Sequence, residues 1–342
     1  MHAALITGPG KLEVCDFADP TPADGGVVVD ITYCGVCGTD VHAFTSGRTY
    51  TPAICGHEWT GIVSAVGRSV STIVEGDRVV VGVPAACGSC VACEAGHPAQ
   101  CMTVASFARG RDADAPPHGG FAPRIAVSAD RVIAAHPDLD DETLAQVEPV
   151  TVSVHAVNQS RITDGDLAVI QGAGPVGITT MQCALAAGAR SAIIVEPNAA
   201  RRAVAASLGA TGVTPDGAAE LIAELTGGLG ADIVFECSGV TRAVGDAVGF
   251  ARTGGSVCLV GLADGPASID PAEWLRKEIT VTTALAYVHE EFATAMQHLA
   301  DGRVRVDALH TSTTQLDGLA AVFDDLASGP TSQMKVLVNP TW

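Results

Sequence analysis

The stretch Ala168-Val-Ile-Gln171, running directly into Gly172-Ala173-Gly174-Pro175-Val176-Gly177, decides how the second half of the chain is read. A short apolar strand enters a glycine-rich turn, and the residues from Pro175 to Ala187 have helical character. In such a turn Gly172 permits the tight reversal, Gly174 lets a pyrophosphate approach the backbone, and Gly177 lets helix and strand pack closely. The helix N-terminus attracts phosphate charge. The pattern alone is weak, because a glycine turn can exist without a ligand. Glu196 supplies context: it ends the next strand, nineteen residues past Gly177, where a carboxylate accepts hydrogen bonds from the hydroxyls of an adenosine ribose. A carboxylate there repels a 2′-phosphate and favours NAD over NADP, while Arg201 and Arg202 just beyond weigh the other way.

Working outward, strands are expected at Ala168–Gln171, Ala192–Glu196, Asp232–Glu236, Ser256–Val260 and Ile279–Thr283. Helices are expected at Ala199–Leu208, Gly217–Leu225 and Arg242–Ala251. This alternation predicts a doubly wound parallel sheet. The residues before about Val150 read differently. Ala3–Ile6, Val27–Ile31, Ile62–Val66, Asp77–Val81 and Phe121–Val127 are short apolar or β-branched runs between turn residues, which suits an irregular antiparallel β domain. After Ala284 a helix (Glu290–Leu299) and a strand (Lys335–Val338) do not extend the alternation and are expected to return to the first domain.

Composition narrows the function. With 342 residues, 47% of them apolar and 17% charged, the chain can fill roughly two domain cores. Nineteen basic against 38 acidic residues give a net charge of −19, which repels phosphate backbones and excludes general nucleic-acid binding. No apolar run reaches membrane-spanning length and no signal-peptide pattern opens the sequence, so a soluble cytoplasmic protein is expected.

Four of the eleven cysteines lie in one loop, Cys87-x2-Cys90-x2-Cys93-x7-Cys101, with Gly88 and Gly96 supplying turns. Four soft ligands in a short loop suit a structural zinc ion; disulfides and an iron–sulfur cluster are the competing readings. A second set is Cys37 within Cys34-Gly-Val-Cys37-Gly-Thr39-Asp40-Val-His42, then Gly56-His57-Glu58-Trp59, then Glu148-Pro149. Thiolate, imidazole and carboxylate form a ligand mixture suited to a catalytic zinc with one open position. Cys34 and Cys55 read as small core residues and His155 as a packing histidine.

These motifs, in this order and spacing, resemble the zinc-dependent medium-chain dehydrogenases/reductases over nearly the whole chain, from about residue 2 to Pro340. Gly-His-Glu-Trp-x-Gly and Glu-Pro are similar to the polyol and threonine dehydrogenase branch. The resemblance implies a GroES-like catalytic domain (residues 1–149, with a structural zinc lobe at about 84–103), a Rossmann NAD-binding domain (150–284) and a return to the catalytic domain (285–342). It implies an active site in the cleft between the domains. It makes Cys37, His57 and Glu58 ligands of a catalytic zinc, with Glu148 either a further ligand or the holder of the zinc's water. Thr39 would take the substrate proton, His42 would pass it to solvent, and Asp40 would support them. Cys87, Cys90, Cys93 and Cys101 would hold the structural zinc, making two zinc ions per chain. Cys237, with Ser238 and Gly239, and Val260-Gly261-Leu262 fall where the family lines the nicotinamide.

The implied reaction is reversible oxidation of a secondary alcohol (a polyol, diol, cyclitol or hydroxy-amine) to its ketone with NAD. A primary-alcohol or aldehyde dehydrogenase and an aminocyclitol dehydrogenase of natural-product biosynthesis are the alternatives within the family. A reductase of activated double bonds is opposed by the intact Cys37, His57 and Glu58, and a non-enzymatic zinc or redox protein by the charge and the glycine motif. A homotetramer or homodimer follows from the resemblance alone. Gly119-Gly120-Phe121-Ala122-Pro123-Arg124 departs from the family's Gly-Gly-x-Ala-Glu-Tyr, and the stretch Phe107–His118, expected to border the substrate pocket, is unusually polar and Pro-rich.

Overall fold

A computed structural model describes residues 1–46, 52–107, 117–263, 265–329 and 331–341. The stretch Phe107–His118 therefore lies largely outside the described residues. The chain divides into two units, one of residues 1–148, 288–296 and 310–342, the other of 149–287 and 297–309.

The first unit begins with a hairpin of β1 (His2–Gly8) and β2 (Lys11–Asp16). A second sheet is built from β3 (Gly26–Gly35), β4 (Glu58–Val66), β5 (Arg78–Val81), β6 (Arg124–Ser128) and β7 (Val132–Ala134). All of these pair antiparallel. Two strands from late in the chain, His310–Thr314 and Lys335–Val338, complete it to seven, with Leu337 and Val338 opposite Gly35 and Cys34. Its core gathers Val27, Val29, Ile31, Trp59, Val79, Phe121 and Ile125 with Leu319 and Phe323. The strand expected at Phe121–Val127 starts only at Arg124. Pro123 has no amide to give a ladder, and the Phe121 carbonyl turns instead to Ala4 N at 2.8 Å.

The second unit holds β8 (Leu167–Gln171), β9 (Ser191–Val195), β10 (Thr211–Val213), β11 (Ala231–Glu236), β12 (Ala251–Leu259) and β13 (Thr280–Thr283). They form one parallel sheet in the order β10-β9-β8-β11-β12-β13. β8 is buried from end to end, as a central strand covered on both faces must be. Helices Pro175–Ala186, Ala199–Ser207, Pro215–Thr226 and Thr241–Phe250 make the crossovers. The chain moves outward from β8 to β10 and then returns to β11, so the topological switch point lies between β8 and β11, where open α/β sheets bind ligands beyond their strand ends. The late strands of the first unit are β14 (His310–Thr314) and β15 (Lys335–Val338).

Candidate metal centres and dinucleotide site

The four cysteines of the loop converge around a one-turn helix, Val91–Glu94, with Gly88 and Gly96 both at positive φ. Cys90 Sγ lies 3.5 Å from Cys93 Sγ and 4.0 Å from Cys101 Sγ, and Cys101 Sγ is 3.6 Å from Cys87 Sγ. Bonded sulfurs would be about 2 Å apart. Four thiolates around a zinc ion, each about 2.3 Å from it, stand about 3.8 Å apart at the corners of a tetrahedron. The spacing fits the ion and not a disulfide. Backbone amides of Cys87 and Met102 point at Cys101 Sγ and Cys90 Sγ, both at 3.4 Å, as they do where sulfur carries charge. The Thr103 hydroxyl and the Ser89 amide hold the Cys87 thiol down at about 5, while burial and its neighbour Cys90 push Cys93 up to about 12. Such a cluster retains protons that a cation would displace.

Cys37, His57 and Glu58 form the second group, their ligand atoms all within 4.8 Å of one another. Cys37 precedes the helix Gly38–Ser46, and Glu58 opens β4 opposite Gly35 of β3. The Glu58 carboxylate lies across Gly35 so closely that a Cβ there would stand 2.2 Å from Oε2. Buried Asp40 ties the two segments together, its carboxylate accepting from Cys37 N at 3.0 Å and Gly56 N at 3.1 Å. His57 Nδ1 lies 3.1 Å from the Ile54 carbonyl, which fixes the tautomer and frees Nε2 for a metal. Burial alone would lower the pKa of His57, but the charges of Cys37, Asp40 and Glu148 outweigh it and raise it well above the usual value. This pocket favours a positive charge, and its donors are those a zinc ion takes.

Glu148, second in the helix Val147–Gln159, is buried and acts on His57 through its charge, but it is not one of the three close ligands. Thr39 is exposed at the start of the helix, its amide donating to Cys37 Sγ at 3.4 Å, and half-buried His42 follows three residues on. Cys34 and Cys55 are buried, which pushes both thiols up, and His155 is buried as well.

Sequence reasoning missed one residue of this centre. Lys335 of β15 is buried, and its ammonium donates to Glu58 Oε2 at 2.5 Å and to the Val36 carbonyl at 3.1 Å. Burial would lower its pKa, but Glu58, Cys37 and Glu148 raise it. The available signal was a lysine inside the apolar strand Lys-Val-Leu-Val, in a chain with only three lysines.

In the second unit Gly172 follows β8 at φ +94°, Gly174 is the N-cap of the helix Pro175–Ala186, and Val176 lies in its first turn. A Cβ on Gly177 would come within 2.0 Å of the Gly172 carbonyl, while around Gly174 the space is open, as a phosphate cradle needs. Glu196 follows β9, buried, accepting from Ala173 N at 2.8 Å and Asn198 N at 2.9 Å. The acidic side chain is thus held against the glycine turn. Arg202 is committed to the carbonyls of Glu196 and Pro197 at 2.7 and 2.8 Å. Arg201 is half-buried on the same helix, its amide donating to Asn198 Oδ1 at 3.2 Å. Cys237 follows β11 and Val260-Gly261 follow β12, both next to the switch point or one strand beyond it. Burial and Glu236 push the Cys237 thiol up, against a hydrogen bond from Thr180.

Residues 23–138 match the alcohol dehydrogenase GroES-like domain family, and residues 175–301 match the zinc-binding dehydrogenase family. The chain belongs to the zinc-dependent medium-chain dehydrogenases/reductases, and it is an oxidoreductase with a GroES-like domain and a Rossmann-type sheet. It is 32% identical to the 2-dehydro-3-deoxy-L-galactonate 5-dehydrogenase of Pseudoalteromonas atlantica, over 99% of this chain and 98% of that one. Among solved structures it is similar to the 2R,3R-butanediol dehydrogenase of Bacillus subtilis, with TM-score 0.85, 29% identity and 99% of each chain covered. A zinc-binding dehydrogenase structure from Sinorhizobium meliloti, bound to NADP, superposes with TM-score 0.87 at 28% identity, again over 99% of each chain.

Proposed function

We propose that the protein interconverts a secondary alcohol and its ketone with NAD, holding one zinc ion at Cys37, His57 and Glu58 and a second at Cys87, Cys90, Cys93 and Cys101. The observation that carries the reading is the close grouping of thiolate, imidazole and carboxylate beside the Thr39–His42 turn. The names of two relatives support the substrate class, since one is a 5-dehydrogenase of a sugar acid and the other acts on a butanediol. Substrates in reach are polyols, diols, cyclitols and hydroxy-amines.

Bound there, zinc would supply Lewis acidity toward the alcohol and a nicotinamide the place for the hydride. The chain does the rest. Asp40 holds the segments of Cys37 and His57 in register through the Cys37 and Gly56 amides. Thr39 accepts the alcohol proton at its hydroxyl, and His42, one turn along the same helix face, carries it to solvent. Glu148 adds negative charge that keeps the pocket attractive to a cation. Glu196 receives the adenosine ribose, and the tethering of Arg202 to backbone carbonyls supports NAD over NADP. Cytoplasmic location is supported by lobe sulfurs that stand 3.5–4.0 Å apart, set for a metal ion and not for disulfides; no described helix is long and apolar enough to cross a membrane. A homodimer or homotetramer is supported by the edge strand β13, where Val281 is exposed, with exposed Leu275 in the helix before it and exposed Leu285 just after it.

The test is a screen of polyols, cyclitols, diols and simple alcohols with NAD and NADP on zinc-replete protein. Turnover restricted to secondary alcohols, with NAD preferred, is expected. Zinc-replete protein that reduces neither coenzyme with any of them refutes the reading.

A further inference from the structure

Glu236, the last residue of β11, is fully buried, yet among the described residues its partners are backbone amides and a hydroxyl instead of a cation. Oε1 accepts from Ser238 N at 2.8 Å, from the Ser238 hydroxyl and from Gly239 N at 3.1 Å, and Oε2 receives the same Gly239 amide at 3.3 Å. Its own carbonyl accepts from Val260 N at 2.9 Å and Gly261 N at 2.7 Å. One residue thus joins the loop after β11 to the turn after β12. The fit is tight: a Cβ on Gly261 would lie 2.3 Å from Gly239 N and 2.7 Å from Glu236 Oε2.

Burying a carboxylate without a counter-ion is costly, and an apolar residue would pack there at lower cost if stability were all that mattered. What the carboxylate provides is direction: it turns two consecutive amides inward and sets the path of Cys237–Gly239. That loop lies against the phosphate turn, since a Cβ on Gly172 would come within 3.0 Å of Ser238 Cα. Glu196, on the β9 side of the switch point, takes the adenosine half of a dinucleotide. The other half must then run over the ends of β11 and β12.

We infer that Glu236 is a positioning residue for the nicotinamide half of the coenzyme, acting through the Cys237–Gly239 loop and the Val260–Gly261 turn. The inference rests on the dinucleotide reading above. It is tested with zinc-replete wild type, Glu236→Gln and Ser238→Ala, by titrating NADH (fluorescence) and ADP (calorimetry). ADP carries the adenosine half alone. Glu236→Gln removes the charge and, with its oxygen kept at the Oε1 position, turns an amide donor toward the Gly239 amide. It should weaken NADH about ten- to a hundredfold, the worth of hydrogen bonds to a charged group, and leave ADP within about twofold. Ser238→Ala, which cannot disturb the strand, should show the same selectivity at a smaller size. Equal losses for the two ligands, or none in either variant, overturn the inference and leave the dinucleotide reading standing. A wild-type chain that binds neither ligand overturns both.

Discussion

Replacing Lys335 with methionine probes the arrangement that holds Glu58. The two side chains are 2% and 1% exposed, so the pair is out of water, and methionine fills the space without the charge. Breaking a buried pair by removing one partner costs about 3–5 kcal/mol, because the remaining charge stays buried and unpaired. The Val36 carbonyl also loses its donor, adding about 1 kcal/mol. For a unit of this size each kcal/mol moves the transition by about 2–4 °C, so the first unit should melt roughly 8–24 °C lower. Calorimetry and circular dichroism on zinc-depleted protein, where no metal ion takes over as the counter-charge of Glu58, measure this, with a parallel metal count. The double variant Glu58→Gln/Lys335→Met should regain at least half of the loss, since the carboxylate that Lys335 faced is gone as well. A single variant that loses less than about 1 kcal/mol, or a double variant no better than the single, would refute the reasoning that Lys335 neutralises Glu58.

Cys90→Ser should lower the zinc count by one and destabilise the lobe, as closed thiolate sites contribute folding energy; metal analysis and thermal melts check it. Glu196→Ala should raise the Michaelis constant for NAD and narrow the gap to NADP, and an enzyme more efficient with NADP before the change would contradict the assignment. Thr39→Val should keep both zincs and cut turnover roughly a hundred- to ten-thousandfold, while His42→Gln slows it less, as steady-state rates measured beside zinc content will show. His118 is buried beside Phe17, ring centroids 4.9 Å apart, and burial holds its pKa below the usual value. The unfolded chain then takes up a proton near pH 6.5 that the folded chain refuses, so stability falls as pH drops below about 6.5. His118→Phe should flatten that slope in urea titrations between about pH 5 and 7.

The parallel sheet was legible because its strands carry their own evidence. Leu167–Ile170 is uninterrupted apolar sequence, and Gly172 to Gly177 suits a turn that follows a strand and starts a helix. The cysteine loop was legible because all four sulfurs lie within fifteen residues. Thr211–Val213 was not, being three residues with a glycine at the centre. Nor was the helix Leu319–Ala327, whose place is set by Phe323 packing on Phe44, with ring centroids 5.3 Å apart across a gap the sequence does not signal. Residue types at the candidate centre could be read, but their charge balance could not. Lys335 looks like a strand lysine until tertiary pairing gives it Glu58, and Glu236 looks like a strand-ending glutamate until the turn after β11 folds the Ser238 and Gly239 amides onto its carboxylate.

Glu58 and Lys335 stand 277 residues apart in sequence, and that distance has a consequence for synthesis. On the proposed assignment, the cysteine lobe could close around a zinc ion as soon as residue 101 leaves the ribosome, because all four sulfurs are local. The Cys37 centre cannot reach its final charge state until β15 has been made and inserted beside β3. Through most of translation the nascent chain therefore carries an acidic, thiol-bearing pocket without its ammonium partner. Metal supplied during that interval meets a different site from the one in the finished protein, and stalled chains ending before residue 335 should load zinc into the lobe first.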